Sequence, residues 1–298
     1  MEIHHTPVLA REIVNFIGAT SDNVKVIDAT VGEGGHSALF LERGWTVFAV
    51  DRDEDMVAKA RERLKAFSRV SFALCTYDGI YDVLPEEWIG TTDALLFDLG
   101  VSMYHFRTAQ RGFSFREDGP LDMRLSRTGK TAHDVVNGYT EDELARVIRD
   151  FGEVPYAGRI AQAIVTARRT REIGTTAELE AVVFHATPKK LRFGRIHPAT
   201  RVFQAIRIEV NDELMILSNA LTNAFRVLAP EGVLAVISYH SLEDRIVKRF
   251  MNENDTRHGT GRLTVLTRHV VTAQAEETAT NPAARSAKLR VARMCPVK

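Results

Sequence analysis

Cysteine is nearly missing from this chain. Cys75 and Cys295 are the only two, they lie far apart in the sequence, and neither has a neighbour at metal-ligand spacing. The ten histidines include no H-E-x-x-H pattern and there is no C-x-x-C, so neither a structural disulfide nor a metal is expected. Long hydrophobic runs are also lacking. Stretches such as Leu234 to Ile237 are strand-sized, and the opening M-E-I-H-H-T-P has neither a basic n-region nor an apolar h-region. A cytoplasmic protein with no membrane partner is the expectation. Net charge is absent too: 39 Lys and Arg against 39 Asp and Glu argue against binding nucleic acid through overall field alone. No internal repeat or low-complexity tract occurs.

What is present is an ordinary globular composition: 298 residues, 45% hydrophobic and 26% charged, enough for one large domain or, preferably, two unequal ones. Strand-sized runs at Val24 to Ile27, Val47 to Val50, Val70 to Leu74 and Ala94 to Phe97 are separated by helix-length segments, notably Asp53 to Phe67. That βαβ order predicts an α/β fold, a parallel sheet with helices on both faces. After Asp98 the texture changes. The run from Arg111 to Arg124 has turn residues and no period, while Glu141 to Arg149 and Gly158 to Arg169 read as helices, the second with Ile160, Ala163, Ile164 and Ala167 on one face. The alternation resumes with a helix from Asp212 to Leu228, ended by Pro230 and Gly232, then a strand from Val233 to Ile237 and a short helix. Leu263 to Thr267 and Lys288 to Met294 predict an antiparallel pair beside the sheet, and Gln274 to Pro282 a mobile loop. The expected organisation is a discontinuous sheet domain, 1–110 and 206–298, interrupted by a mostly helical insertion, 111–205.

The densest chemistry lies between Asp28 and Asp51, where D-A-T-V-G-E-G-G-H follows the first strand and Asp51 ends the second. Gly32, Gly34 and Gly35 allow a sharp turn and a close backbone approach to a ligand, although a glycine turn can also be a plain connection. Asp51 stands where a carboxylate can accept both hydroxyls of a ribose, which favours a nucleotide-type cofactor. The spacing is not G-x-G-x-x-G, and Asp28 precedes the glycines, near where a cofactor amino group would lie. This favours S-adenosylmethionine over NAD. Ligands of open α/β sheets bind beyond the carboxyl ends of the strands, which gathers Gly34, Gly35, His36, Asp51, Tyr77, Asp98 and Ser238 to Ser241 around one crevice.

Tyr77 either packs along an adenine or completes the core. Asp98 ends an apolar strand, where an unpaired acid is costly, and can accept bonds from a substrate amine or a cofactor ammonium. His240 can orient an acceptor or relay a proton, although a hydrogen-bonded structural histidine is the stronger reading, with Glu243 and Asp244 favouring the next helix's N-terminus. Asp98 and His240 are therefore the catalytic candidates. Asp51→Ala is expected to weaken cofactor binding and leave the fold intact. Arg111, Arg116 and Arg124 either pin phosphates or pair with Glu117, Asp118 and Asp122.

Charge is segregated. From His185 to Arg207, Lys189, Lys190, Arg192, Arg195, Arg201 and Arg207 occur with no acid, interleaved with Phe193 and Phe203. The tail from Asn281 to Lys298 adds Arg285, Lys288, Arg290, Arg293 and Lys298. A single such block reads as a solvated face; two beside a cofactor site favour a phosphate-rich substrate.

Together these segments resemble the bacterial small-subunit ribosomal RNA cytidine N4-methyltransferase family, formerly called MraW. The resemblance spans nearly the whole chain. It rests on H-T-P-V-L from His5 to Leu9, D-A-T-V-G-E-G-G-H, D-R-D from Asp51 to Asp53, D-L-G-V-S from Asp98 to Ser102, and R-G-F-S-F-R-E-D-G-P-L-D-M-R from Arg111 to Arg124. Further on come H-P-A-T-R-V-F-Q-A-I-R-I from His197 to Ile208, I-S-Y-H-S-L-E-D-R-I-V-K from Ile237 to Lys248 and N-P-A-A-R-S-A-K-L-R from Asn281 to Arg290.

The resemblance implies a class I Rossmann-like, S-adenosylmethionine-dependent enzyme that methylates the exocyclic N4 amine of one cytidine in the decoding region of 16S ribosomal RNA. The partner it implies is small-subunit ribosomal RNA, in an assembled or late-assembling subunit, and not DNA. Cofactor positions carried over are Gly34, Gly35, His36, Asp51, Tyr77, Asp98 and His105. The family has D-L-G-V-S-S-x-Q where this chain has D-L-G-V-S-M-Y-H, so His105 replaces a glutamine, and phenylalanine is commoner at Tyr77. Phe113, Phe115 and Phe193 are candidate base readers. A DNA amino-methyltransferase is the weaker enzyme reading, because D-L-G-V replaces the D-P-P-Y or N-P-P-Y type. A non-catalytic ribosome-assembly module is the reading from another class, motivated by His105.

Overall fold

The computed structural model describes residues 7–18, 23–194 and 196–296; His4, His5, Arg195 and Lys298 lie outside them. The chain divides into two compact units, 1–100 with 214–298 and 101–213. The divisions fall at Gly100 and Glu213 rather than at 110 and 205.

The first unit is built on one seven-stranded sheet: β1 (Lys25–Asp28), β2 (Thr46–Asp51), β3 (Val70–Leu74), β4 (Thr92–Asp98), β5 (Leu228–Ser238), β6 (Leu263–Val265) and β7 (Lys288–Met294), in the order β3-β2-β1-β4-β5-β7-β6. β1 to β5 are mutually parallel and β7 runs antiparallel to both its neighbours. The last two strands thus belong to the sheet itself. β1 pairs with β2 on one side and β4 on the other, so the chain reverses its direction of travel across the sheet there. Crevices open at the carboxyl ends of such strands.

Successive side chains of a strand point to opposite faces, and here both faces are covered. Val26, Val47 and Leu96 join one apolar cluster with Ile13, Phe40 and Leu64; Ile27, Phe48 and Leu95 join the other with Leu217, Leu221 and Met251. Burial on both faces is why these strands read as continuous apolar runs. In chain order the helices before the second unit are α1 (Ala10–Ile17), α2 (Gly35–Leu41), α3 (Glu54–Leu64) and the single turn α4 (Ile80–Val83).

The second unit contains α5 (Met103–Arg107), α6 (Ala132–Gly138), α7 (Glu141–Gly152), α8 (Ala157–Arg168), α9 (Thr176–Ala186) and α10 (Pro198–Asn211). Thr131, Thr140 and Thr175 cap α6, α7 and α9 reciprocally with Asp134, Glu143 and Glu178. Their apolar faces enclose a separate core that includes Val135, Leu144, Ile148, Ile160, Ile164, Leu179, Val202 and Ile206. The aperiodic run before α6 is rigid for a local reason: a Cβ on Gly119 would lie 2.0 Å from the Ala109 carbonyl oxygen, so only glycine lets the two segments touch. Arg111, read above as a phosphate pin, is buried and donates to the carbonyls of Arg124 and Leu125, while Arg124 chelates the Asp122 carboxylate. Both are internal. Phe113 and Phe203 are core residues; Phe193 is 87% exposed.

The sheet unit resumes with α11 (Glu213–Val227), α12 (Ser241–Asn254) and α13 (Ala275–Thr280). β5 starts at Leu228, before Pro230, with Glu231 at φ 66°. α12 is 14 residues long, not short. The segment from Gln274 to Pro282, expected to be a loop, is helical; Glu277 Oε1 accepts the Leu9 N–H at 2.8 Å. Among the described residues no helix is long and apolar enough to cross a membrane.

Candidate active site

The first βα connection is tied to both neighbouring strands. Ala29 N–H donates to Leu96 O and Val31 N–H to Val50 O, which brings the glycine loop across the carboxyl ends of β2 and β4. Gly34 takes φ 79° as the N-cap of α2, and a Cβ there would meet the Leu64 side chain at 3.3 Å. Conformation and packing both call for glycine. Gly35 and His36 form the first turn of α2.

Register places the acids. Asp28 lies opposite Ala49 of β2 and Leu96 of β4, so Asp51 and Asp98 stand at one common level, two residues beyond it. With neighbouring strands about 4.8 Å apart and β1 between them, the two backbones are about 10 Å from each other. Asp51 is half-buried, its Oδ2 accepting the Gly32 N–H and its Oδ1 the Asp53 N–H, each at 2.9 Å. The bonds fix the orientation of the carboxylate.

Asp98 is positioned from three sides. Its N–H donates to Thr30 Oγ1 at 2.7 Å, the Tyr239 hydroxyl donates to Oδ1 at 2.8 Å, and His36 Nε2 lies 3.4 Å from Oδ2. The His36 approach is an ion-pair distance without hydrogen-bond geometry: neither ring nitrogen has a hydrogen-bond partner among the described residues, although His36 is only 5% exposed. Burial first, then the charge of Asp98, pushes the Tyr239 hydroxyl well above its ordinary pKa, so it stays a donor.

Asp28 is 1% exposed and accepts the Ser37 hydroxyl at 2.6 Å. Burial raises its pKa. Through the Ser37 bond it braces the glycine loop from beneath. Tyr77 is half-buried with its ring edge-on to Phe97 at 5.6 Å. Beside it, burial and then nearby acids push the Cys75 thiol up to about 11, which makes it a poor nucleophile.

His240 is the N-cap of α12. Its Nδ1 accepts the Glu243 N–H at 3.4 Å, while Glu243 Oε2 takes the N–H groups of Tyr239 and His240. That capping box accounts for the histidine structurally. His105 belongs to the second unit, where its Nδ1 accepts the Ser102 N–H at 3.0 Å in the capping box of α5 and its ring packs on Phe113 at 5.1 Å. Glutamate or glutamine is the usual partner at this helix position, and here the histidine completes the box.

The sheet unit therefore brings together Gly34, Gly35, His36, Asp51, Tyr77 and Asp98 along one edge. Thr30 and Ser37 are contributors that the sequence reading did not single out, and within the Ser238 to Ser241 stretch it is Tyr239 that reaches Asp98. The acceptor set suits a zwitterionic nucleoside: a fixed carboxylate for a diol at Asp51 and another about 10 Å away for an ammonium at Asp98, with the buried His36 imidazole 3.4 Å from the latter.

This sheet order and edge define a class I, Rossmann-like, S-adenosylmethionine-dependent methyltransferase. Residues 2–295 match the model of the MraW methylase family, and the chain belongs to that family. It is 47% identical over 294 residues to the ribosomal RNA small subunit methyltransferase H of Brachyspira hyodysenteriae, covering 98% of this chain and 97% of that protein. It is 45% identical to the protein of the same name from Persephonella marina, covering 98% and 99%. An rRNA methylase structure from Streptococcus thermophilus gives a TM-score of 0.47 at 11% identity, covering 96% of this chain and 95% of that one. That likeness is too loose to argue from.

Proposed function

We propose that the protein transfers a methyl group from S-adenosylmethionine to the exocyclic N4 amine of a cytidine in the decoding region of 16S ribosomal RNA, with an assembled or late-assembling small subunit as substrate. The observation that carries this is the pair of level carboxylates, Asp51 and Asp98, flanking the glycine loop in a chain whose relatives of nearly equal length are named small-subunit ribosomal RNA methyltransferases.

Asp51 accepts the ribose hydroxyls, and Tyr77 packs along the adenine. When bound, S-adenosylmethionine supplies an electrophilic methyl on a sulfonium, and transfer is an in-line displacement governed by alignment and exclusion of water. Cytosine's amine lone pair is delocalised into its ring, so the chain's task is to localise it. Asp98, held by Tyr239 on Oδ1, accepts from the cofactor ammonium or from an amine N–H through Oδ2. His240 orients the acceptor through the backbone turn that its Nδ1 caps, and its Nε2, buried 3.2 Å from Glu243 Oε1, makes no hydrogen bond among the described residues. The target base leaves its stack to reach the edge. In the second unit, exposed Lys189, Lys190 and Phe193 supply phosphate and base contacts.

The test is incubation with labelled S-adenosylmethionine and unmodified small subunits, naked ribosomal RNA or DNA, followed by nucleoside mass spectrometry. N4-methylcytidine from subunits is the expected result. Methylation of DNA alone, or cofactor binding with no transfer to any substrate, overturns the proposal.

A further inference from the structure

Between the second half of α12 and the β6 edge of the sheet unit lies a cavity of about 190 Å³ into which Lys248, Arg257, His258, Arg268 and Arg290 converge with one acid, Asp255. The acids nearby are already committed. Asp255 takes Arg257 Nε at 2.8 Å and the Val265 N–H, while Asp244 takes Arg290 Nε at 2.6 Å and Lys288 Nζ. Lys248, His258 and Arg268 have no acidic or hydrogen-bonding side-chain partner among the described residues.

Arg257 and Arg290 are thus balanced, whereas Lys248 and Arg268 add like charge with no acid set against them, and like charges repel. Met251 and Val265 line the same cavity, and low-dielectric walls focus the field on whatever enters. Arginine forks and a lysine ammonium are the groups that hold phosphate oxygens. Lys248 lies seven residues along α12 from Ser241, about 10 Å at 1.5 Å per residue. The pocket is therefore set back along α12 from the strand end that carries Ser238 to His240.

We infer that this pocket is a docking site for a backbone phosphate of the RNA substrate, holding the strand at a point remote from the methylated base. The inference rests on the proposed function above, and names a contact that the cofactor edge does not supply. Phosphate contacts fix register without reading sequence. The pocket therefore contributes affinity and placement, not base choice.

The test is Lys248→Ala with Arg268→Ala, both exposed and outside the apolar core. The slope of log affinity for small subunits against log salt should shrink by about 1 to 2. KM should rise with kcat and cofactor affinity unchanged. Lys248→Arg with Arg268→Lys should restore the slope, and Arg43→Ala with Lys65→Ala, an equal loss of exposed charge elsewhere on the unit, should leave it as in the wild type. A double-alanine variant indistinguishable from wild type in slope and KM overturns the inference. So does loss of inorganic phosphate binding in that variant with RNA binding unchanged, which would make this a small-anion site. Failure of the parent reading shows separately, as a wild-type protein that methylates no RNA.

Discussion

Asp51→Ala removes a carboxylate that serves the fold and, in the proposed function, the ligand as well. In the folded chain it accepts two backbone N–H groups at 2.9 Å, from Gly32 and Asp53. A hydrogen bond to a charged group contributes about 1.5–3 kcal/mol. Because the site is half-buried, water takes over part of each bond, and a net cost of about 2–3 kcal/mol is expected. At about 2–4 °C per kcal/mol for a unit of this size, Tm should fall by about 4–12 °C. The simpler expectation of an intact fold thus becomes a folded but softened one, with the glycine loop loosened first. A ribose diol donating to both oxygens would lose two further charge-assisted bonds, about 3–6 kcal/mol together, or about 10²–10⁴-fold in cofactor Kd. Isothermal titration with S-adenosylmethionine and a thermal melt on the same sample separate the two effects. Asp51→Asn keeps one acceptor but sets an amide donor against a backbone N–H, so it should melt like the alanine variant and bind with intermediate affinity. A folded Asp51→Ala protein whose cofactor Kd stays within about threefold of wild type, under 1 kcal/mol, refutes the ribose assignment.

Tyr239→Phe deletes the 2.8 Å bond to Asp98, and about 1.5–3 kcal/mol of lost positioning should lower kcat/KM between about tenfold and 150-fold; wild-type kinetics would remove Tyr239 from the site. Burial raises the folded pKa of Asp28 above 3.8, so the folded chain retains a proton that the unfolded chain has released. Stability from this group is complete below pH 3.8 and is lost as pH rises through the folded value. Asp28→Asn does not titrate there, so the wild-type Tm minus the variant Tm should decline with rising pH across that window, and an increase would contradict the sign. His105→Gln should melt within about 0.5 kcal/mol of wild type because either residue completes the capping box, whereas His105→Ala should lose about 0.5–2 kcal/mol; equal melting of all three proteins would show the cap to be idle. Phe193→Ala, at a ring 87% exposed, should leave Tm unchanged and weaken RNA binding by about 1–3 kcal/mol, measured by filter binding.

β2 and β4 contain their sequence runs, Val47–Val50 and Ala94–Phe97, because strands buried on both faces announce themselves as uninterrupted apolar stretches. Asp51 and Asp98 were legible for the related reason that they end such stretches. α13 was hidden: A-E-E-T-A-T carries no apolar stripe, and Glu277 is tied to Leu9 across most of the chain, a contact no local pattern reports. The early start of β5 was masked by Pro230 and Gly232, which read as a stop but sit in an irregular pairing with Thr92 and Ala94. Tyr239 stood beside the more eye-catching His240; which of two adjacent side chains turns toward Asp98 depends on how the chain leaves β5, and the capping box of α12 decides that. Arg111 looked like a phosphate ligand because its charge is visible in sequence and its two carbonyl partners, Arg124 and Leu125, are not.

The position of β7 has a consequence for how the sheet unit comes into being. Although it is the last strand in the chain, it occupies an interior slot, paired to β5 on one side and β6 on the other. During synthesis β5 and β6 therefore wait with open edges, the arrangement most prone to mispairing with another chain, until residues 288–294 arrive to join them. Removing that strand would split the sheet rather than trim its border. The amides of β5 should accordingly exchange with solvent only on global unfolding, making the final strand the keystone of the unit's cooperativity.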